Sequence, residues 1–91
     1  MPPIELLEST HRFPGPYLFK VIGRVEQGFV ARVVAAVRDA LAYEVDPPYS
    51  LRESGDGRHV SVTLEPTVQS AHQVLAVYSS LRGMAGLVLM M

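Results

Sequence analysis

The chain contains no cysteine and no asparagine, a single lysine, and no apolar run that could span a bilayer. Without cysteine, neither a disulfide nor a thiolate metal site is available, and a reducing cytoplasm is the natural compartment. The longest uncharged apolar stretch, Met84 to Met91, falls far short of the ~20 residues of a spanning helix, so no membrane role is expected. The start, Met1-Pro2-Pro3-Ile4-Glu5, lacks the basic region and apolar core of a secretory signal. Positive charge is not in excess either: eight basic against nine acidic residues leave a net charge of −1. A general nucleic-acid binder would show a basic surplus, so nucleic acid is not an expected partner.

What is present is enough for one domain. A chain of 91 residues, 48% hydrophobic, fits a single globular unit. The stretch Gly57 to Glu65 organises it. Val60, Val62 and Leu64 alternate with His59, Ser61, Thr63 and Glu65, which is the period of a strand with one wet face. Ser54-Gly55-Asp56-Gly57 before it is dense in turn formers, so a hairpin should lead in from a strand at Tyr49 to Glu53. Pro47 and Pro48 suggest that this preceding strand lies at a sheet edge.

Four of the seven prolines fall in residues 1–16, which read as a flexible N-terminal arm in preference to one helical turn of Ile4, Leu6 and Leu7 against the domain. Tyr17 to Gly23 reads as a central strand, with Phe19 and Val21 on the core side and Gly23 ending it. From Gln27 to Leu41 the period changes. Val30, Val33, Val34, Val37 and Leu41 make one helical stripe. A second helix opens at Ser70 with a capping box completed by Gln73, presents Val74, Val77, Tyr78 and Leu81, and ends at Gly83 or Gly86. Leu87 to Met91 is the last strand. The order is β-α-β-β-α-β, an α/β (α+β) ferredoxin-like sandwich over residues 17–91. It has a four-stranded antiparallel sheet, two helices on one face, and the first and third strands central.

With the elements placed, the chain resembles a small uncharacterised bacterial family typified by YbeD. The matching residues are Phe13-Pro14 leading into Phe19-Lys20-Val21-Ile22-Gly23, then Phe29-Val30, Val60-Ser61-Val62-Thr63, Ser70, Tyr78, Leu81 and the closing apolar strand. The resemblance spans roughly residues 12 to 91. It implies a fold similar to ACT domains, the small regulatory domains of metabolic enzymes, and transfers no catalytic residue. The chain departs from the family by lacking an acidic insertion after the first helix, where it has only Ala42-Tyr43-Glu44-Val45.

Gly23-Arg24-Val25-Glu26-Gln27-Gly28 with Arg32 resembles the phosphate-cradling loop of acylphosphatases, which share the fold. The spacing differs, however, and the asparagine that orients the attacking water in that family has no counterpart here. Arg32 is therefore expected on a solvated helix face, and no enzyme is expected. His11, His59 and His72 show no ligand spacing, so no metal or other cofactor is implied. His59, Ser61 and Thr63 offer no aromatic platform for RNA bases. What remains is the open sheet face. Lys20, Arg52, His59, Ser61 and Thr63 should share it, and Val88 and Met90 should add an apolar edge. The bland reading is a merely wetted sheet. The functional one is a surface for a small anionic metabolite or a partner protein, with a homodimer also open.

Overall fold

The computed structural model describes residues 2–91. In chain order these form α1 (Ile4–Thr10), β1 (Gly15–Pro16), β2 (Phe19–Arg24), α2 (Phe29–Ala40), β3 (Tyr49–Glu53), β4 (His59–Leu64), β5 (Thr67–Val68), α3 (Ala71–Leu81) and β6 (Leu87–Met90). The main sheet has the order β3-β4-β2-β6 with every neighbour antiparallel, so the expected central strands are central. β1 and β5 pair separately as a two-stranded ribbon. The fold is α+β: three helices, one four-stranded sheet and one short ribbon.

The alternation in β4 decides which way the sheet faces. Val60, Val62 and Leu64 are buried, as are Phe19 and Val21, which β2 places opposite Leu64 and Val62. These meet Phe29, Val33, Val34 and Val37 of α2 and Ala71, Val74, Val77, Tyr78 and Leu81 of α3 in one cluster. Valine is an indifferent helix former, but each buried aliphatic side chain stabilises by about 1.5–3 kcal/mol. Packing therefore holds α2.

Several expectations are corrected. The N-terminal segment is not devoid of structure: Ile4–Thr10 is helical, and Leu7 is only 2% exposed. Pro2 and Pro3 sit before this helix, where a missing donor costs nothing. Gly23 does not end β2; the strand continues to Arg24. A methyl group at Gly23 would lie 2.1 Å from the Phe29 ring, so this glycine is the notch into which α2 lowers its first aromatic. The capping box is displaced by one residue on its return arm. Ser70 Oγ accepts from the Gln73 amide at 3.4 Å, while Gln73 Oε1 accepts from Gln69 N–H at 2.7 Å rather than from Ser70.

Candidate functional site

The register of β3, β4 and β2 builds the open face row by row. Lys20 lies opposite Thr63, which lies opposite Ser50; Ile22 opposite Ser61, opposite Arg52; and Arg24 opposite His59. All belong to the phase that is not buried against the helices. The anticipated residues Lys20, Arg52, His59, Ser61 and Thr63 thus lie on one side of the sheet. Four of them, Lys20, Arg52, His59 and Ser61, line a shallow depression of about 230 Å³ together with Ile22, Glu53, Ser54 and Val60. Thr63 shares the face but stands outside the depression.

The charge that the paired strands put on this face is one-sided, although Glu53 also lines the depression. Among the paired strand residues the face carries Lys20, Arg24 and Arg52 and no carboxylate, because Glu53 lies opposite the buried Val60 and takes the other phase. No ion pair engages these three cations among the described residues. In its centre Ser61 Oγ is shielded from water and has no hydrogen-bond partner. His59 is held by the hairpin: its N–H donates to Ser54 Oγ at 3.1 Å, and that hydroxyl donates to Asp56 Oδ1 at 2.6 Å. The Ser54 hydroxyl, and secondarily the Arg58 N–H, hold the Asp56 carboxyl below its ordinary range. A second cleft of about 350 Å³ opens at this end of the sheet between Arg24, Glu26, Arg58 and His59. In the sequence Arg24 reads as part of the turn after Gly23, although it stands four residues from Lys20 and period two puts both on one side.

The pattern of one protein family, described as Protein of unknown function (DUF493), matches residues 8–91. The chain belongs to the DUF493 family. Three bacterial relatives are UPF0250 proteins of Shewanella. That of Shewanella sp. (strain ANA-3) is 33% identical over 82 residues, covering 90% of this chain and 86% of its own. That of Shewanella woodyi is 34% identical with the same coverage. That of Shewanella amazonensis is 32% identical over 74 residues, covering 81% and 82%.

Elsewhere on this DUF493 chain the phosphate-loop candidates do not converge. Arg24 takes the open face. Gly28 adopts a left-handed conformation (φ 67°) ahead of α2, as does Gln27 before it. Arg32 is not on a solvated face as expected; it is half-buried, its Nε donating to Gln27 O at 3.1 Å and its Nη1 to Ala85 O at 2.9 Å. Its guanidinium carbon lies 5.7 Å from the centre of the Phe29 ring. Arg32 ties the turn before α2 to the turn before β6.

The apolar edge also differs in detail. Met90 lies opposite Val21 and is half-buried, whereas Leu89 lies opposite Ile22 on the open face. Met91 exchanges backbone hydrogen bonds with Lys20 and is 52% exposed. A register shift between Ile22 and Gly23 produces the change of phase, and a count from the C-terminus has no access to it. Of the histidines, His11 lies tilted against the Tyr17 ring with centroids 4.8 Å apart, and His72 is exposed on α3. No group of three His, Asp or Glu residues capable of holding a metal occurs among the described residues, and no helix there is long and apolar enough to cross a membrane.

Proposed function

We infer that this chain is a non-catalytic binding module of regulatory, ACT-like type, cytoplasmic, whose working surface is the open face of the four-stranded sheet. The observation that carries the reading is the gathering of Lys20, Arg24 and Arg52 in one strand phase whose paired residues include no carboxylate, with Glu53 lining the depression from the other phase, in a chain whose net charge is −1. Adjacent strands are ~4.8 Å apart and residues ~3.3 Å apart along a strand, so the register sets Lys20, Arg24 and Arg52 each within roughly 5–8 Å of Ser61 at the backbone, comparable with the ~8 Å Debye length at physiological salt. Their fields therefore add in the depression, and the orphaned Ser61 hydroxyl supplies a donor beside them. The occupant this favours is a small anionic metabolite or an acidic partner surface.

A phosphate-handling enzyme using Arg24, Gly28 and Arg32 is the weaker alternative. Two donors of Arg32 are committed to backbone carbonyls, and the chain has no asparagine to orient water.

Titration of ¹⁵N-labelled protein with a dicarboxylate, a phosphate ester and a nucleotide tests this. At least one anion should shift amides at Lys20, Ile22, Arg52, His59 and Ser61, and binding should weaken as salt rises. Lys20→Glu with Arg52→Glu should abolish the shifts and leave the melting temperature nearly unchanged, since both side chains are exposed. Arg82→Glu on the helical side should change neither. Shifts confined to α2 and α3 would refute the reading. So would acyl-phosphate turnover that disappears with Arg32→Ala while the fold is intact.

A further inference from the structure

β3 is an edge strand whose five residues are all exposed. On its helix side Tyr49 is 48% and Leu51 52% exposed. They form the outer wall of an apolar groove of about 460 Å³, closed on the inner side by Val25, Phe29 and Val30. The hairpin bond Ser54 N–H to His59 O (2.9 Å) sets which backbone groups are spent. Antiparallel pairing alternates, so Ser50 and Arg52 direct their N–H and C=O groups at β4, while Tyr49, Leu51 and Glu53 direct theirs away from the sheet. A row of outward donors and acceptors with apolar side chains beside it is a template for another strand.

We propose that β3 docks antiparallel against β3 of a second copy, about a two-fold axis through Leu51, joining the two main sheets into one. The strand is complementary to itself in one register only. Centred on Leu51, it sets Tyr49 opposite Glu53 of the second copy and Leu51 opposite its equivalent, so all three outward-facing residues find partners on both copies. Ser50 then lies opposite Arg52, and no like charges are directly opposed. Centred on Arg52, two guanidinium groups would face each other and Leu51 would face a carboxylate. Centred on Ser50, Glu53 would meet Pro47, which has no N–H to offer. The symmetric arrangement buries Leu51 on Leu51 and covers the mouth of the groove, as a self-complementary two-fold contact must. The opposite edge is the poorer template, because β6 has four residues and a register shift against β2.

The test is sedimentation of the full chain from micromolar to millimolar concentration, with hydrogen exchange on the same samples. The mass should rise from 10.0 kDa toward twice that value. Over the same range the Tyr49, Leu51 and Glu53 amides should slow at least about tenfold while those of Ser50 and Arg52, already bonded to β4, change little. Leu51→Lys and Leu51→Pro should each hold the protein at the mass of one chain; the proline removes an N–H that the single chain does not use. Leu89→Lys should leave association intact. A single-chain mass throughout overturns the proposal. So does a dimer that survives both Leu51 substitutions, or one in which the three outward amides stay fast. These substitutions leave Lys20 and Arg52 in place, so the result is separate from the fate of the anion-binding reading.

Discussion

At Gly23 the nearest ring atoms of Phe29 stand 2.1 to 2.5 Å from where a Cβ would be, and that ring is itself only 2% exposed. The ring has no room to withdraw. Gly23→Ala should therefore cost about 3 kcal/mol or more by overpacking, a large part of the 5–15 kcal/mol typical of a domain. Urea melts should show Phe29→Leu recovering part of the loss, a coupling absent if the two sites act independently. Asp56 makes a pH prediction. Its carboxyl is held low by the Ser54 hydroxyl and the Arg58 N–H, so its contribution to the turn is complete above the ordinary carboxylate range. It is lost as pH falls from about 4 through the depressed value. Because Ser54 also holds the His59 amide, the Arg58 and His59 amide resonances should move together on acidification, and Asp56→Ala should remove that step.

Among the elements, β4 provides the sharpest contrast between adjacent residues. Val62 is fully buried and Thr63 is half-buried on the open face. Val62→Asp should destabilise by several kcal/mol, enough to unfold a domain this small, while Thr63→Asp should cost less than about 1 kcal/mol in the same melts. Equal losses would mean both faces of the strand are covered. The same alternation made the central elements and the placement of Lys20, Arg52, His59, Ser61 and Thr63 legible, since period two needs no knowledge of the partner strands. The misses have local causes. α1 reads from the sequence as one turn at most, because four prolines disfavour regular structure over residues 1–16, yet Pro2 and Pro3 at its start suit a helix terminus. Arg24 was hidden by a strand that outlasts its glycine, and the phase of β6 by its register shift. The ribbon of β1 and β5 has two residues per strand, too few for any period to show.

For the molecule as a whole, the core lies entirely on one side of the main sheet, and α1 extends it through Leu7 and Ile4. Removing residues 2–10 should cost about 2–4 kcal/mol, the burial of one leucine and part of an isoleucine, and should lower the midpoint of a denaturant melt without abolishing the transition. An unchanged midpoint would mean that α1 contributes nothing to stability. The notch at Gly23 has a further consequence, for alternatives the chain must reject. Phe19, Val21 and Gly23 point to the core from β2, and a slide of two residues would keep every side chain on its proper face. Such a slip would bring Val21 or Val25 beneath the Phe29 ring, where only a residue without a side chain fits. One missing methyl thus acts as an index mark, telling a valine-rich strand which of its near-equivalent alignments is the native one.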